Sequence, residues 1–259
     1  MNESLRKALK KLILFKSAII IKRALVLKPP LFVRAKRLLS YFRDYRRYIG
    51  LEANPKYALR IEDLFPRIND KTVNTDIDPV YYIQGTWCAR KIFEGRPERH
   101  YDVGSQALMV GIISQFVPTT MVDIRPLSVT LPELSFVKGD ITALPFRDDS
   151  INSLSSICVI EHIGLGRYGD ALDQFGTEKS AKELSRVLAH NGDLYISVPI
   201  DEKNKIYFNA HRAFTRTRIL ELFKSLNLIE ERYIYGKEVF NAYDVDKGFG
   251  TGLFHFKKL

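Results

Sequence analysis

The stretch that decides the fold starts at His100-Tyr101-Asp102-Val103-Gly104-Ser105. It continues to Met121-Val122-Asp123-Ile124 and reaches Phe136-Val137-Lys138-Gly139-Asp140-Ile141. Each piece ends a short apolar run with a carboxylate. His100 to Val103 reads as a strand closing at Gly104, and Ala107 to Phe116 is apolar enough for a packed helix. Thr120 to Ile124 reads as the next strand, and Ser135 to Val137 leads a third up to Gly139 and Asp140. Strand, helix, strand at this spacing is a βαβ unit, and such units build parallel sheets. Ligands of these sheets sit outside the carboxyl ends of the strands. The three ends here carry Asp102 with Gly104, Asp123, and Asp140.

Asp123 follows Asp102 by 21 residues. An acid about 20 residues beyond the first loop is where a nucleoside-binding sheet accepts hydrogen bonds from ribose hydroxyls. An ionised carboxylate is acceptor-only and can take both hydroxyls. Taken singly, Asp123 and Asp140 are also ordinary turn residues. In register with Asp102 and Gly104 they mark a nucleoside site. A G-x-G-x-x-G loop for a pyrophosphate is missing, which sets a nicotinamide enzyme low.

These residues resemble the class I S-adenosylmethionine-dependent methyltransferases over roughly Arg99 to Pro199, with weaker support onwards to Leu259. The resemblance implies an α/β protein with a Rossmann-like sheet, mostly parallel with an antiparallel C-terminal strand, and S-adenosylmethionine as cofactor. It puts Asp102, Gly104 and Ser105 at the methionine part, Asp123 with Ile124 at the ribose, and Asp140 with Ile141 at the adenine. One departure is plain. The family's D-x-G-x-G-x-G is here D-V-G-S-Q-A-L, and Ser105, Gln106 and Leu108 stand where the backbone is normally bare. Side chains there are expected to narrow the cofactor pocket.

Net charge is +10 but unevenly spread. From Met1 to Gly50 there are 14 Lys or Arg against Glu3 and Asp44, and the remainder carries 26 basic and 28 acidic residues. A near-neutral domain thus follows a basic arm. Ser4 to Leu27 mixes short apolar runs with Lys16, Lys22 and Arg23, too interrupted for a spanning helix. Lys28-Pro29-Pro30 breaks it. From Leu31 to Ile49 the residues Leu31, Ala35, Leu38, Phe42, Tyr45 and Ile49 recur at helical steps, with Arg34, Arg37, Arg43, Arg46 and Arg47 mostly off the stripe. Three readings of residues 4–49 stay open: an interfacial helix on an anionic membrane, a helix packed on its own domain, and, ranked last, a nucleic-acid arm. The expected division is a basic amphipathic helical arm over 1–50, a linker and lead-in helix over 51–98, and a methyltransferase-like domain over 99–259. Trp87 to Phe93 is the expected lead-in helix. Cys88 and Cys158 suggest neither a disulfide framework nor a metal site, and a reducing, cytoplasmic setting is the simplest expectation, with the arm peripheral on the membrane's inner face.

After Asp140 the chain reaches Pro145-Phe146 and then an apolar strand, Ile151 to Ile160, ending on Glu161-His162-Ile163-Gly164. Gly164, Gly166 and Gly169 around Arg167 and Tyr168 read as a mobile loop. A helix is expected over Glu178 to Leu188, a turn over Ala189 to Asp193, and a strand over Leu194 to Val198. A second helix carries Leu220, Leu222, Phe223 and Leu226 after Thr215, and Leu228 to Tyr235 with Gly252 to Phe256 read as a closing antiparallel pair. The runs E-H-I-G-L-G-R-Y-G-D and F-N-A-H-R also resemble an uncharacterised methyltransferase-like family, domain of unknown function 268, whose members are encoded among surface-glycan genes.

A hydroxyl acceptor needs a base near neutrality, which points to His162 and His211, with Glu161 orienting the imidazole. Arg167 and Arg212, with Asn209, are the candidates for an acidic substrate group. Plain structural roles stand beside each: Glu161 and His162 as caps of a strand end, Asn209 and Arg212 as fixtures of a loop. The expected activity is methyl transfer to a glycan or lipid-linked sugar intermediate of the cell surface. The alternative is a non-catalytic methyltransferase-like binding module.

Overall fold

The computed structural model describes residues 30–52, 54, 56–57 and 59–259. The basic segment expected over Ser4 to Leu27 lies outside them. The chain divides into two units, Met1–Asp76 and Ile77–Leu259.

In the first unit, α1 (Leu31–Ile49) starts at Pro30, whose extended backbone cannot continue a helix N-terminally. None of its residues is buried; Leu31, Phe32, Leu39 and Tyr48 are more than half exposed. Two side-chain bonds tie the following loop to it, Arg37 to Asn69 at 2.7 Å and Lys71 to Asp44 at 2.9 Å. Among the described residues no helix is long and apolar enough to cross a membrane.

The second unit opens with α2 (Pro79–Gly95). Asp78 caps it by accepting from Val80 N and Tyr81 N, and Pro79 sits in its first turn, where no amide hydrogen is needed. The helix is longer than the expected Trp87–Phe93 because its first two turns carry no clear apolar stripe. Then come β1 (His100–Val103), α3 (Ala107–Ile113), β2 (Thr119–Asp123), β3 (Leu134–Lys138), β4 (Ile151–Ile157), α4 (Gly176–Val187) and β5 (Leu188–Ile200). The short β6 (Lys205–Tyr207) and β7 (His211–Ala213) pair as a hairpin. The chain closes through α5 (Arg216–Leu222), β8 (Asn227–Tyr235), β9 (Glu238–Phe240) and β10 (Gly250–Lys257).

The main sheet has the order β3-β2-β1-β4-β5-β10-β8-β9. β1 to β5 are parallel, and β10 lies antiparallel between β5 and β8. This is the mostly parallel sheet with an antiparallel C-terminal strand expected from the sequence. Side chains alternate between its faces. Val122, Leu154, Ile196 and Val198 pack with Leu184 of α4 and Ile219 of α5, whereas Met121, Ile157 and Tyr195 pack with Cys88 and Ile92 of α2 and Val110 of α3. Order reverses between β1 and β4, so the crevice of the sheet opens there.

Two expectations need correction. Ala189 to Asp193 is not a free turn but part of β5. Pairing with β4 jumps from Ile151–Leu188 to Ser153–Asp193, and Asn191 takes a left-handed φ of 60°. The chain end supplies the partner that keeps it extended: Asn191 N donates to Lys258 O at 2.7 Å, and Lys258 N to Gly192 O. β4 ends at Ile157 rather than Ile160, because Cys158 adopts φ 53° and turns the chain.

One buried polar chain crosses the sheet. His100 Nδ1 lies 2.8 Å from Ser153 Oγ and Nε2 lies 2.9 Å from Ser155 Oγ. Ser155 donates its hydroxyl proton to Asp102, so it accepts from Nε2–H, and Nδ1 accepts from Ser153. Burial holds this imidazole neutral, with its pKa pushed down to about 3. Replacing His100 by Leu orphans the Ser153 hydroxyl, removes the donor to Ser155, and is expected to cost about 1–3 kcal/mol. Urea denaturation measures this; an unshifted midpoint with unchanged slope would show that the bridge contributes nothing.

Candidate functional site

A cleft of about 780 Å³ lies at the carboxyl ends of β1, β2 and β4. That volume suits a nucleoside-sized ligand. Its floor is the turn after β1, where Gly104 has φ 73°. A Cβ there would meet Val159 Cγ1 at 2.9 Å, so glycine is required twice over, by backbone and by space. Ser105 behaves differently from expectation. Its hydroxyl turns away from the cleft, donating to Asp102 Oδ2 at 2.6 Å and accepting from Ile157 N at 2.9 Å. Leu108 is 69% exposed and is not among the lining residues. Of the three departures, Ser105 and Gln106 line the cleft and Leu108 does not, and the Ser105 hydroxyl is spent on Asp102 and Ile157 N. The altered loop therefore leaves the cleft open.

Asp102 itself does not line the cleft. It is fully buried, and its carboxylate accepts from Ser105 N, Ser105 Oγ and Ser155 Oγ. Burial pushes its pKa up to about 6 against the pull of those donors. Its expected contact with a ligand is corrected to a positioning role, because all its donors come from the protein. Asp123 and Asp140 do line the wall, with Ile124 and Ile141 beside them. Each spends one oxygen on its own turn: Asp123 Oδ1 accepts from Arg125 N, and Asp140 Oδ1 from Thr142 N and Oγ1, all at 2.8 Å. No donor among the described residues bonds the second oxygen of either. These are free acceptors for hydroxyl or amino groups of a bound nucleoside.

The opposite wall comes from the segment after β4. Cys158 and His162 face the cleft, joined by Tyr81 from α2 and by Tyr168 and Asp170. The glycine loop is not free. Asp170 accepts from Gly164 N, Gly166 N and Tyr168 N and folds the loop upon itself. A Cβ on Gly164 would meet Asp173 O at 1.9 Å, so the loop closes against the 170–173 segment as only glycine permits.

His162 Nδ1 lies 2.6 Å from the carbonyl of Ala210, which fixes the proton on Nδ1 and leaves the lone pair on Nε2. Burial first, opposed by that bond, lowers its pKa to about 4. Glu161 is buried and does not line the cleft; its Oε1 is 3.6 Å from His162 Nε2, and its Oε2 meets no partner. Burial pushes its pKa up to about 8. At neutral pH it is a protonated acid beneath His162, not a charged orienter of it. Cys158 Sγ, Ser197 Oγ and Gln84 Oε1 form the polar cluster alongside.

Of the four remaining candidates, His211, Asn209 and Arg212 sit in the β6–β7 hairpin and Arg167 bonds to it, and none of them lines the cleft. His211 stacks obliquely on Tyr207 at 5.0 Å, and burial with the nearby Arg167 lowers its pKa. Asn209 takes φ 63° in the hairpin turn. Arg212 is 7% exposed, and its guanidinium donates to Ile163 O and Asp173 O. Its expected substrate role is corrected to that of a loop fixture, since those donors are spent on backbone carbonyls. Arg167 is exposed, and its Nη1 donates to Ala210 O. Sequence reasoning missed Tyr81, Cys158, Tyr168 and Asp170 as lining residues. Only Asp170, an acid just after three spaced glycines, carried a local signal.

The comparisons with known proteins agree with this geometry. The profile of the family described as "Caenorhabditis protein of unknown function, DUF268" matches residues 145–246, the stretch holding Glu161, His162, Arg167 and the hairpin. No curated protein matches the chain. Among solved structures, N-methyltransferase NodS from Bradyrhizobium japonicum WM9 in complex with S-adenosyl-L-homocysteine is 16% identical, with a TM-score of 0.52 over 71% of this chain and 89% of that one. A second NodS structure is 15% identical, with a TM-score of 0.51 over 71% and 98%. A geranyl diphosphate methyltransferase in complex with S-adenosylmethionine is 9% identical, with a TM-score of 0.50 over 68% and 85%. The fold is that of the class I S-adenosylmethionine-dependent methyltransferases.

Glu161 makes stability depend on pH. The folded protein keeps its proton up to about pH 8, while an ordinary glutamate releases it near 4.5. This contribution is fully present below 4.5 and is lost as pH rises towards 8. His100 and His162 act in the opposite sense and only below their ordinary 6.5. Between pH 6.5 and 8 the melting temperature should fall by the equivalent of about 1–2 kcal/mol. Glu161→Gln should flatten that slope; equal slopes in both proteins would mean that Glu161 is already ionised.

Proposed function

We propose that the protein is an S-adenosylmethionine-dependent methyltransferase whose acceptor is a glycan or a lipid-linked sugar intermediate. The observation that carries the first half is the pair of free acceptor oxygens on Asp123 and Asp140 beside the Gly104 turn, on this fold. The residues fit the cofactor. Gly104, Ser105 and Gln106 would hold the methionine part, Asp123 with Ile124 the ribose, and Asp140 with Ile141 and Thr142 the adenine. The inward turn of the Ser105 hydroxyl favours this reading over a non-catalytic binding module. The sugar acceptor is supported by the exposed aromatic and polar wall around Tyr168.

When bound, the cofactor supplies a methyl group on a sulfonium, already activated for displacement. What this chain adds is alignment, which can contribute up to roughly 7–11 kcal/mol. His162 lines the cleft with Nε2 unprotonated, while the Ala210 carbonyl holds the ring still. A base of pKa about 4 is neutral throughout the physiological range. It accepts a hydroxyl proton late, as methyl transfer acidifies that oxygen. The protonated Glu161, buried beside His162 and outside the lining, puts no charge against the imidazole.

We also propose that α1 lies on an anionic membrane surface. Its support is an apolar stripe of Leu31, Leu38, Phe42 and Ile49, all exposed, on a helix carrying six Lys or Arg against Asp44 alone.

Calorimetric titration of the purified protein with S-adenosylmethionine should give micromolar binding, and Asp123→Ala should weaken it about tenfold to a hundredfold. No heat of binding from a folded protein would remove the enzyme reading. For the helix, vesicles of phosphatidylcholine with phosphatidylserine should float the full chain, and the L38S/F42S double variant should float less. Equal flotation of the two proteins would argue that α1 does not enter the lipid interface.

A further inference from the structure

The β6–β7 hairpin carries an aromatic surface that the cofactor site does not use. Tyr207 and His211 lie 5.0 Å apart, His211 and Phe249 5.6 Å, and Tyr207 and Phe249 6.3 Å between ring centroids. Phe249 is 51% and the neighbouring Phe208 73% exposed. The hairpin turn is joined to the cleft wall at Ala210, whose carbonyl accepts from both His162 Nδ1 and Arg167 Nη1. On the cleft side of that junction Tyr168 lies between two guanidinium groups, Arg125 at 4.8 Å and Arg167 at 5.0 Å.

The cations around this corner are not equivalent. Arg212 is spent on two carbonyls, Lys179 on Asp173, Lys205 on Asp201, and Arg125 approaches Asp123. Arg167 is different. Among the described residues it has no carboxylate within salt-bridge distance, and its polar contacts, to Ala210 O at 3.0 Å and His162 Nδ1 at 3.4 Å, both use Nη1 and leave Nε and Nη2 of its fork free. The carboxylates nearby are satisfied elsewhere: Asp170 by three backbone amides, Asp173 by Phe175 N and Lys179. A planar five-donor fork beside an exposed aromatic face suits a ring-shaped molecule bearing a carboxylate or phosphate.

We propose that this corner is the acceptor subsite, and that the acceptor is anionic: Arg167 grips its carboxylate or phosphate while its ring lies on the Tyr207–His211–Phe249 shelf, with His162 linking shelf to cleft. The word acceptor rests on the methyltransferase reading; the anion site does not.

The test uses the full chain saturated with S-adenosyl-L-homocysteine, whose binding is measured separately by calorimetry. Saturation-transfer NMR then compares glucose, glucuronic acid, glucose 1-phosphate and octyl glucosyl phosphate. Both acid classes should bind about tenfold tighter than glucose. Arg167→Met should erase that preference with homocysteine-cofactor affinity retained, and Arg167→Lys should restore it in part. The His211 imidazole should titrate at higher pH in the presence of an acid ligand, because the ligand offsets Arg167. Preference for the octyl compound over glucose 1-phosphate would assign a lipid-linked source, and the reverse a free sugar phosphate. Equal binding of neutral and acidic sugars, no sugar binding, or a preference that survives in Arg167→Met overturns the proposal. Failure of the homocysteine cofactor to bind would instead remove the methyltransferase reading, and the sugar arms would still decide the anion site.

Discussion

The buried carboxylate of Asp102 is the constraint on which the cleft depends. It sits at the end of β1 with no solvent contact, and burial alone would neutralise it. Three donors from two segments hold it instead: the amide and hydroxyl of Ser105 and the hydroxyl of Ser155. An unpaired buried carboxylate would cost several kcal/mol, so the donors must stay where they are. That requirement fixes the turn at Gly104 against β4. It also explains how Ser105 sits in this loop without filling the site, since its side chain is consumed by the network.

The other wall is built by the same principle with a different residue. Asp170 gathers the amides of the glycine loop, and Arg212 gathers the carbonyls of Ile163 and Asp173. Each neutralises backbone groups that a loop leaves unsatisfied. The segment from Val159 to Asp173 thereby becomes a rigid wall, and His162 and Tyr168 are presented from it. The proposed methyl transfer would draw on such a wall, because a reaction that depends on alignment is sensitive to small displacements.

The strands that end in Asp102, Asp123 and Asp140 were legible because each is a short apolar run closed by a turn residue. The roles of those acids were only partly legible. Asp123 and Asp140 face the cleft as their spacing implied, whereas Asp102 looks the same in sequence and faces the protein. Glu161 and Arg212 likewise carry the residue types of a catalytic site, yet both are buried with structural surroundings. Residue type tells what a side chain can do; its partners, drawn from distant segments, decide what it does. Tyr81 had no local signal, since it reaches the cleft from a helix more than twenty residues before Asp102.

By itself the sequence determined the βαβ half of the sheet, the closing antiparallel strands and the separation of a basic arm from a near-neutral domain. These follow from side-chain periodicity and turn chemistry, which are written within a few residues of one another. The tertiary structure alone decided which acids line the cleft and which brace the fold, that the altered loop leaves its cleft open, and that Arg167 rather than Arg212 keeps a free fork. Those outcomes depend on burial and on hydrogen bonds across large separations, such as the 53 residues between Asp102 and Ser155. The free energy of a buried charge is set by whichever donors the fold brings to it, and no local pattern records them.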